Sequence, residues 1–145
     1  MILECVALLC TGLFAGAAIY ITAVEHPARL EGDIRLAITQ FRPSYRRAAV
    51  MQATLAAVGF LAAVGAWLGT RDGIVLAAGL LQGAVIPLTL IVIWPTNKRL
   101  LDRGLDPDSP EVALLLARWG RLHAVRSALA GLAFLLLALH LAQLL

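Results

Sequence analysis

The sequence predicts an all-α integral membrane protein, a bundle of four transmembrane helices with a short interfacial helix in its first loop. Three observations carry this. Hydrophobic residues make up 61% of the 145 residues and charged residues only 14%, against roughly 45–50% and about 25% in a soluble domain. The apolar excess is gathered into four uncharged runs, residues 5–24, 48–70, 73–97 and 127–145, each close to the roughly 20 residues that cross a hydrocarbon core. Leu, Ala and Gly dominate them without strand-like alternation, which argues helices rather than barrel strands. The length fits a single domain, residues 1–145.

The first helix is expected over about residues 2–25. Its opening residues carry Glu4 and no base, the wrong start for a cleaved signal, so it reads as a helix of the mature protein. Gly12 and Gly16 give it a small-residue packing face. Cys5 and Cys10 lie on different faces of this one helix and read as buried thiols rather than a disulfide. Pro27 stops the helix or starts another, residues 33–40 suit a short interfacial helix, and Pro43 breaks the chain again. The second helix is expected over 48–70 and the third over 74–101, joined by the tight turn Arg71-Asp72-Gly73. Gly79 and Gly83 repeat the small-residue spacing, and Pro87 and Pro95 favour kinks. Ser109 followed by Pro110 reads as an N-cap and first helical position, opening a fourth helix over 110–145. Glu4 reads as a solvated residue at a frayed end, and His140 as an interfacial one.

The net charge of +3 and pI near 9.4 are better explained by orientation than by nucleic acid. Loop one holds Arg29, Arg35, Arg42, Arg46 and Arg47. The third connection and the start of helix four hold Lys98, Arg99, Arg103, Arg118 and Arg121, whereas loop two holds only Arg71. Short loops rich in Lys and Arg stay in the cytoplasm. The expectation is a multi-pass protein of the cell membrane with both termini outside and loops one and three cytoplasmic.

This topology gathers the unusual polar residues at one end of the bundle: Glu25, His26, Tyr45, Arg46, Gln52, Thr96, Asn97, His123 and Arg126. Trp119, His123 and Arg126 share one face of helix four. Arg126 precedes a long uncharged run, so it should face the interior and find a partner, with Glu25 the natural one by sign and depth. His26 and His123 would then approach each other. Gln82, Thr89 and Thr96 form a thin polar stripe leading to the same layer. A histidine beside a carboxylate is the ingredient of general base chemistry, and a guanidinium can hold an oxyanion. Catalytic roles therefore fall on His26, His123, Arg126, Glu25 and Asn97, and substrate contacts on Tyr45, Gln52, Thr96 and Trp119. His26, His123 and Glu25 would also suit a single transition metal ion, although no HxxxH, HExxH or CxxC spacing is present. Either histidine could serve as an axial ligand to haem. There is no Walker loop, dinucleotide fingerprint or nucleophile elbow.

Gly12-Leu13-Phe14-Ala15-Gly16, Glu25-His26-Pro27, Phe41 with Ser44-Tyr45-Arg46, Pro95-Thr96-Asn97 with Leu100, and Trp119 with His123 and Arg126 stand in an order and spacing that spans most of the chain. In these the sequence resembles the small four-helix membrane proteins that include the fungal anthrone oxygenases. Those enzymes insert oxygen at an activated methylene beside a carbonyl, giving an anthraquinone, and are usually thought to need no organic cofactor. The resemblance implies that His26 or His123 is the base and that Arg126 with Asn97 stabilises the oxyanion. It implies a membrane oxygenase or oxidase of a lipophilic phenol, quinol or anthrone. A non-enzymatic binding or transport subunit and a membrane assembly protein stand as the other readings, and the glycine-rich helix faces suit a homodimer under any of them.

Overall fold

A computed structural model describes residues 1–143; the last two residues of the expected fourth helix lie outside the described residues. The chain forms four long rods in an up-down-up-down bundle, each adjacent in space to the next and the fourth to the first. Among the described residues there is no strand. The first rod joins α1 (Ile2–Tyr20), a π-helical turn (Ile21–Glu25) and α2 (His26–Glu31). The second is one helix, α3 (Ile34–Thr70). The third joins α4 (Gly73–Pro87), a π-helical stretch (Leu88–Ile93) and α5 (Trp94–Leu101), and the fourth is α6 (Pro110–Ala142). All four are long and apolar enough to cross a membrane.

Side-chain caps explain the starts. Asp33 accepts from the Arg35 amide at 2.7 Å, Asp72 from those of Ile74 at 2.7 Å and Val75 at 3.3 Å, and Ser109 from that of Glu111 at 3.2 Å. Between α3 and α4 the chain reverses at Arg71, whose φ of 58° puts a non-glycine residue in the left-handed region. Its amide closes the α3 end by donating to Trp67 O at 2.7 Å.

Loop one departs from expectation. No separate interfacial helix covers residues 33–40; they are the first turns of α3, which runs on through Pro43. Packing overrides the breaker. Ala37, Ile38 and Phe41 are buried against Leu100, Leu116 and Trp119, and tertiary burial supplies most of a helix's stability. Pro27 does not stop the first rod either. The backbone widens ahead of it, so the His26 amide donates five residues back to Ile21 O. The second π stretch lies between Pro87 and Pro95, where prolines free the carbonyls of their own preceding turns.

The core between the rods is built from small residues. Ala7, Ala15, Ala18, Ala63, Ala78 and Ala133 are all buried, while Leu9, Leu61, Leu80, Leu135 and Leu139 point outward. This is the pattern of helices packed in lipid, where close backbone approach replaces hydrophobic exclusion. A Cβ added at Gly79 would meet Ala63 Cβ at 2.9 Å, at Gly83 the Phe60 ring at 2.6 Å, and at Gly12 the Phe134 ring at 2.9 Å. Those three glycines thus pack rods within the chain, and Gly16 alone of the two motifs has open space beside it.

The first turns of α3 meet the third connection at one end. Arg35 pairs with Asp108, and Arg42 donates to Leu100 O at 3.0 Å and Asp102 O at 2.8 Å. At the other end Glu4 is buried rather than solvated, 3.7 Å from His140, which is itself buried and 3.8 Å from Asp72. Both cysteines are free thiols, and Cys5 is exposed.

Candidate functional site

A cavity of about 310 Å³ lies between the rods toward the end that carries loops one and three. That volume is at the lower end of the roughly 300–1,000 Å³ of small-molecule pockets. Both π segments border it, through Ile21 and Glu25 on the first rod and Thr89 and Leu90 on the third. Widened turns re-aim side chains, and π-bulges are frequent at functional sites for that reason.

One wall is aromatic. The Phe41 ring stacks on Tyr45 at 5.6 Å and meets Trp119 edge-on at 5.1 Å, and Trp119 stacks on His123 at 4.6 Å. Asn97, fully buried on α5, holds this wall from behind. Its Nδ2 donates to the Tyr45 hydroxyl at 2.8 Å, and its Oδ1 accepts from Trp119 Nε1 at 2.9 Å. Tyr45 Oη therefore accepts from Asn97 and keeps its own proton to donate elsewhere.

Hydroxyls assign the His123 tautomer. Ser127 Oγ lies 3.0 Å from both the Ala18 and His123 carbonyls, which can only accept, so it donates to one of them. It then accepts from Thr22 Oγ1 at 2.8 Å, and Thr22 Oγ1 accepts from His123 Nδ1 at 2.9 Å. One proton arrangement satisfies the whole chain, and it leaves Nε2 as the unprotonated nitrogen. Among the described residues no group hydrogen-bonds to Nε2.

Arg126 is buried. Its guanidinium lies 4.9 Å from the Phe14 ring and donates to Gln52 Oε1. The expected Arg126–Glu25 pair does not form. Glu25 instead accepts from Arg29, one helical turn away, and from Ser44 Oγ at 2.9 Å. Proximity along one helix supplies Glu25 with a nearer cation, and Arg126 keeps a neutral partner. Arg126 Nε and Gln52 Nε2 are buried hydrogens' donors with no acceptor among the described residues.

Of the residues singled out by sequence, Glu25, Tyr45, Gln52, Trp119, His123 and Arg126 line the cavity. His26, Thr96 and Asn97 are buried outside its lining. His26 packs on Trp119 at 5.0 Å and donates from Nε2 to Leu116 O at 3.0 Å. It sits against Gly120, where an added Cβ would meet Nε2 at 2.6 Å. The two histidines thus pack on the same Trp119 ring, His123 within the cavity lining and His26 outside it. Among the described residues no three His, Cys, Asp or Glu side chains gather as a metal ligand set, so His26, His123 and Glu25 are not brought together as one.

Thr22, Arg29 and Ser127 are the residues that sequence reasoning missed. Ser127 had a signal, one turn beyond His123 on the same face. Thr22 had none, because its role depends on how the first and fourth rods face each other. Of the polar stripe, Thr89 lines the cavity and bonds Val85 O at 2.7 Å. Gln82 is fully buried, and neither end of its amide has a partner among the described residues, so it does not supply the expected interhelical bond.

Residues 41–136, about two-thirds of the chain, match the family described as anthrone oxygenase. No curated protein and no solved structure matches the chain. The matched stretch carries Phe41, Tyr45, Gln52, Trp119, His123 and Arg126, the greater part of the cavity's polar and aromatic wall. By the extent of that match, this chain belongs to the anthrone oxygenase family.

Proposed function

We propose that the protein is a membrane-embedded oxygenase of a lipophilic phenol, quinol or anthrone-like substrate, with His123 as the base. The observation that carries this is an imidazole Nε2 with no hydrogen-bond partner among the described residues, on a ring that lines an apolar, aromatic-walled cavity together with Arg126. Family membership supports the reaction class.

The substrate ring system lies along the aromatic wall, where offset and edge contacts with Tyr45, Phe41 and Trp119 favour a flat π system. His123 Nε2 removes a proton from the methylene beside the carbonyl. The charge moves onto the carbonyl oxygen, where Arg126, Gln52 and Tyr45 supply donors in a site that largely excludes water. The electron-rich carbon then reduces dioxygen. One oxygen atom ends as the new carbonyl and the other as water, so a CH2 and O2 give C=O and H2O. Dioxygen is the oxidant, and the step as written draws on no organic cofactor.

The charge asymmetry of the loops supports a place in the cell membrane with loops one and three cytoplasmic and the termini outside. The cavity then lies in the cytoplasmic half.

Oxygen uptake by the purified protein, given an anthrone and a panel of quinols, tests the reading. Uptake should depend on His123 and survive His26→Ala. A chelated sample run beside it separates base from metal chemistry. Uptake that persists in His123→Ala would remove the assignment.

A further inference from the structure

We propose that the cavity is loaded sideways from the bilayer, through a slot between the second and third rods that admits a flat lipophilic molecule. The proposal rests on the oxygenase reading for the class of ligand, and concerns only the path by which it arrives.

Two stripes border the slot. Ala49, Ala53 and Ala57 line the cavity from α3, and Ile86, Leu90 and Trp94 line it from the third rod. A four-residue step keeps each set on one face of its helix. Ala53, Leu90 and Trp94 are also outer surface, Leu90 at 63% and Trp94 at 44% exposure. Side chains belong to both surfaces only where the cavity reaches the outside of the bundle.

The two rods are closed on one side of the slot, where Gly79 and Gly83 bring α4 against Ala63 and Phe60. The gap begins one turn past Gly83, where Pro87 and the π stretch Leu88–Ile93 interrupt the regular helix. The facing residues on α3 are alanines, too short to bridge it. On the far side stand Arg46, Arg47, Lys98 and Arg99, all exposed. Ala53 is six residues beyond Arg47, about 9 Å along the helix. With the basic residues at headgroup level, the slot opens among acyl chains and not into water. A planar molecule dissolved there enters with its apolar body along the alanine stripe and its oxygen leading toward Arg126 and Tyr45.

The test uses protein in phosphatidylcholine vesicles with Trp119 as its sole tryptophan, through Trp67→Phe and Trp94→Phe. Menadione, a lipid-soluble naphthoquinone, is the quencher. Quenching of Trp119 should follow the menadione fraction in the lipid. In stopped flow, Ala53→Phe should slow its onset about tenfold, as overpacking a narrow gap does, and Leu90→Ala should quicken it. Ala128→Phe, in the exposed groove between the first and fourth rods, should leave it unchanged. An onset insensitive to both Ala53→Phe and Leu90→Ala, or no quenching of Trp119, overturns the slot. Leu90→Ala decides the matter where Ala53→Phe does not fold. Slot-sensitive quenching without oxygen uptake keeps the slot and removes the oxygenase reading. Uptake with slot-insensitive quenching removes the slot alone.

Discussion

His26 and His123 both pack on Trp119, and their surroundings separate them. His26 donates to Leu116 O from behind the cavity wall, whereas His123 is tied through Nδ1 to Thr22 and keeps Nε2 without a partner among the described residues. His123→Ala should therefore lower turnover by about 10²–10⁴-fold, the usual worth of a general base, with kcat measured by oxygen uptake. In the proposed mechanism Thr22 acts through His123 and is a positioning residue. Thr22→Val should lower kcat and displace its pH profile, because the hydroxyl that accepts from Nδ1 is gone, and Thr22→Ser should restore both. A pH profile unmoved by Thr22→Val would show that the hydroxyl chain does not govern the base. Asn97→Leu strips partners from both Tyr45 and Trp119. It should cost about 1–3 kcal/mol in stability, read as a fall in thermal midpoint.

At the scale of elements, the first and third rods owe their shape to proline. Pro27 follows one π turn and Pro87 precedes the other, and both segments border the cavity. The glycines act by close approach. Gly120 on α6 leaves room for His26, which is why the first rod can lie so near the fourth. Gly120→Ala should destabilise by about 1–3 kcal/mol through overpacking, and the added methyl should displace the His26 ring. Combined with His26→Ala the cost should be smaller than the sum of the two single changes. Additive costs in denaturation would mean that Gly120 and His26 are not in contact.

Across the whole molecule, the start of α3 is clasped to the third connection at one end, where Arg35 meets Asp108 on the surface. The Arg35 hydrogen bond and charge hold the Asp108 carboxyl below its ordinary value. A carboxyl lowered in the folded state stabilises it above the unfolded pKa of about 3.9, and the gain is lost as pH falls through the lowered value. The thermal midpoint difference between wild type and Asp108→Asn should thus be small at neutral pH and vanish in acid. Salt should shrink it further. A difference that grows on acidification would contradict the clasp. The same end carries the basic loops, so a reporter fused to the C-terminus should be active only on the outer side of the membrane. Activity on the cytoplasmic side would invert the topology.

The sequence by itself determined the four apolar helices, the tight turn at Asp72, the cap at Ser109, and the layer that holds Tyr45, Gln52, Trp119, His123 and Arg126. Hydropathy runs, cap residues and helical spacing are local quantities, and a span of about 20 residues leaves little choice of depth. Only the tertiary structure decided the partners within that layer. Glu25 goes to Arg29 and Arg126 to Gln52, and His26 lies behind Trp119 rather than in the cavity. Tertiary packing also carried α3 straight through Pro43, where the local signal read as a break. Depth follows from position along one helix, but partnership depends on how four helices are rotated about their axes. In this bundle small-residue contacts such as Gly79 with Ala63 and Gly120 with His26 set that rotation, and they exist only once the helices meet.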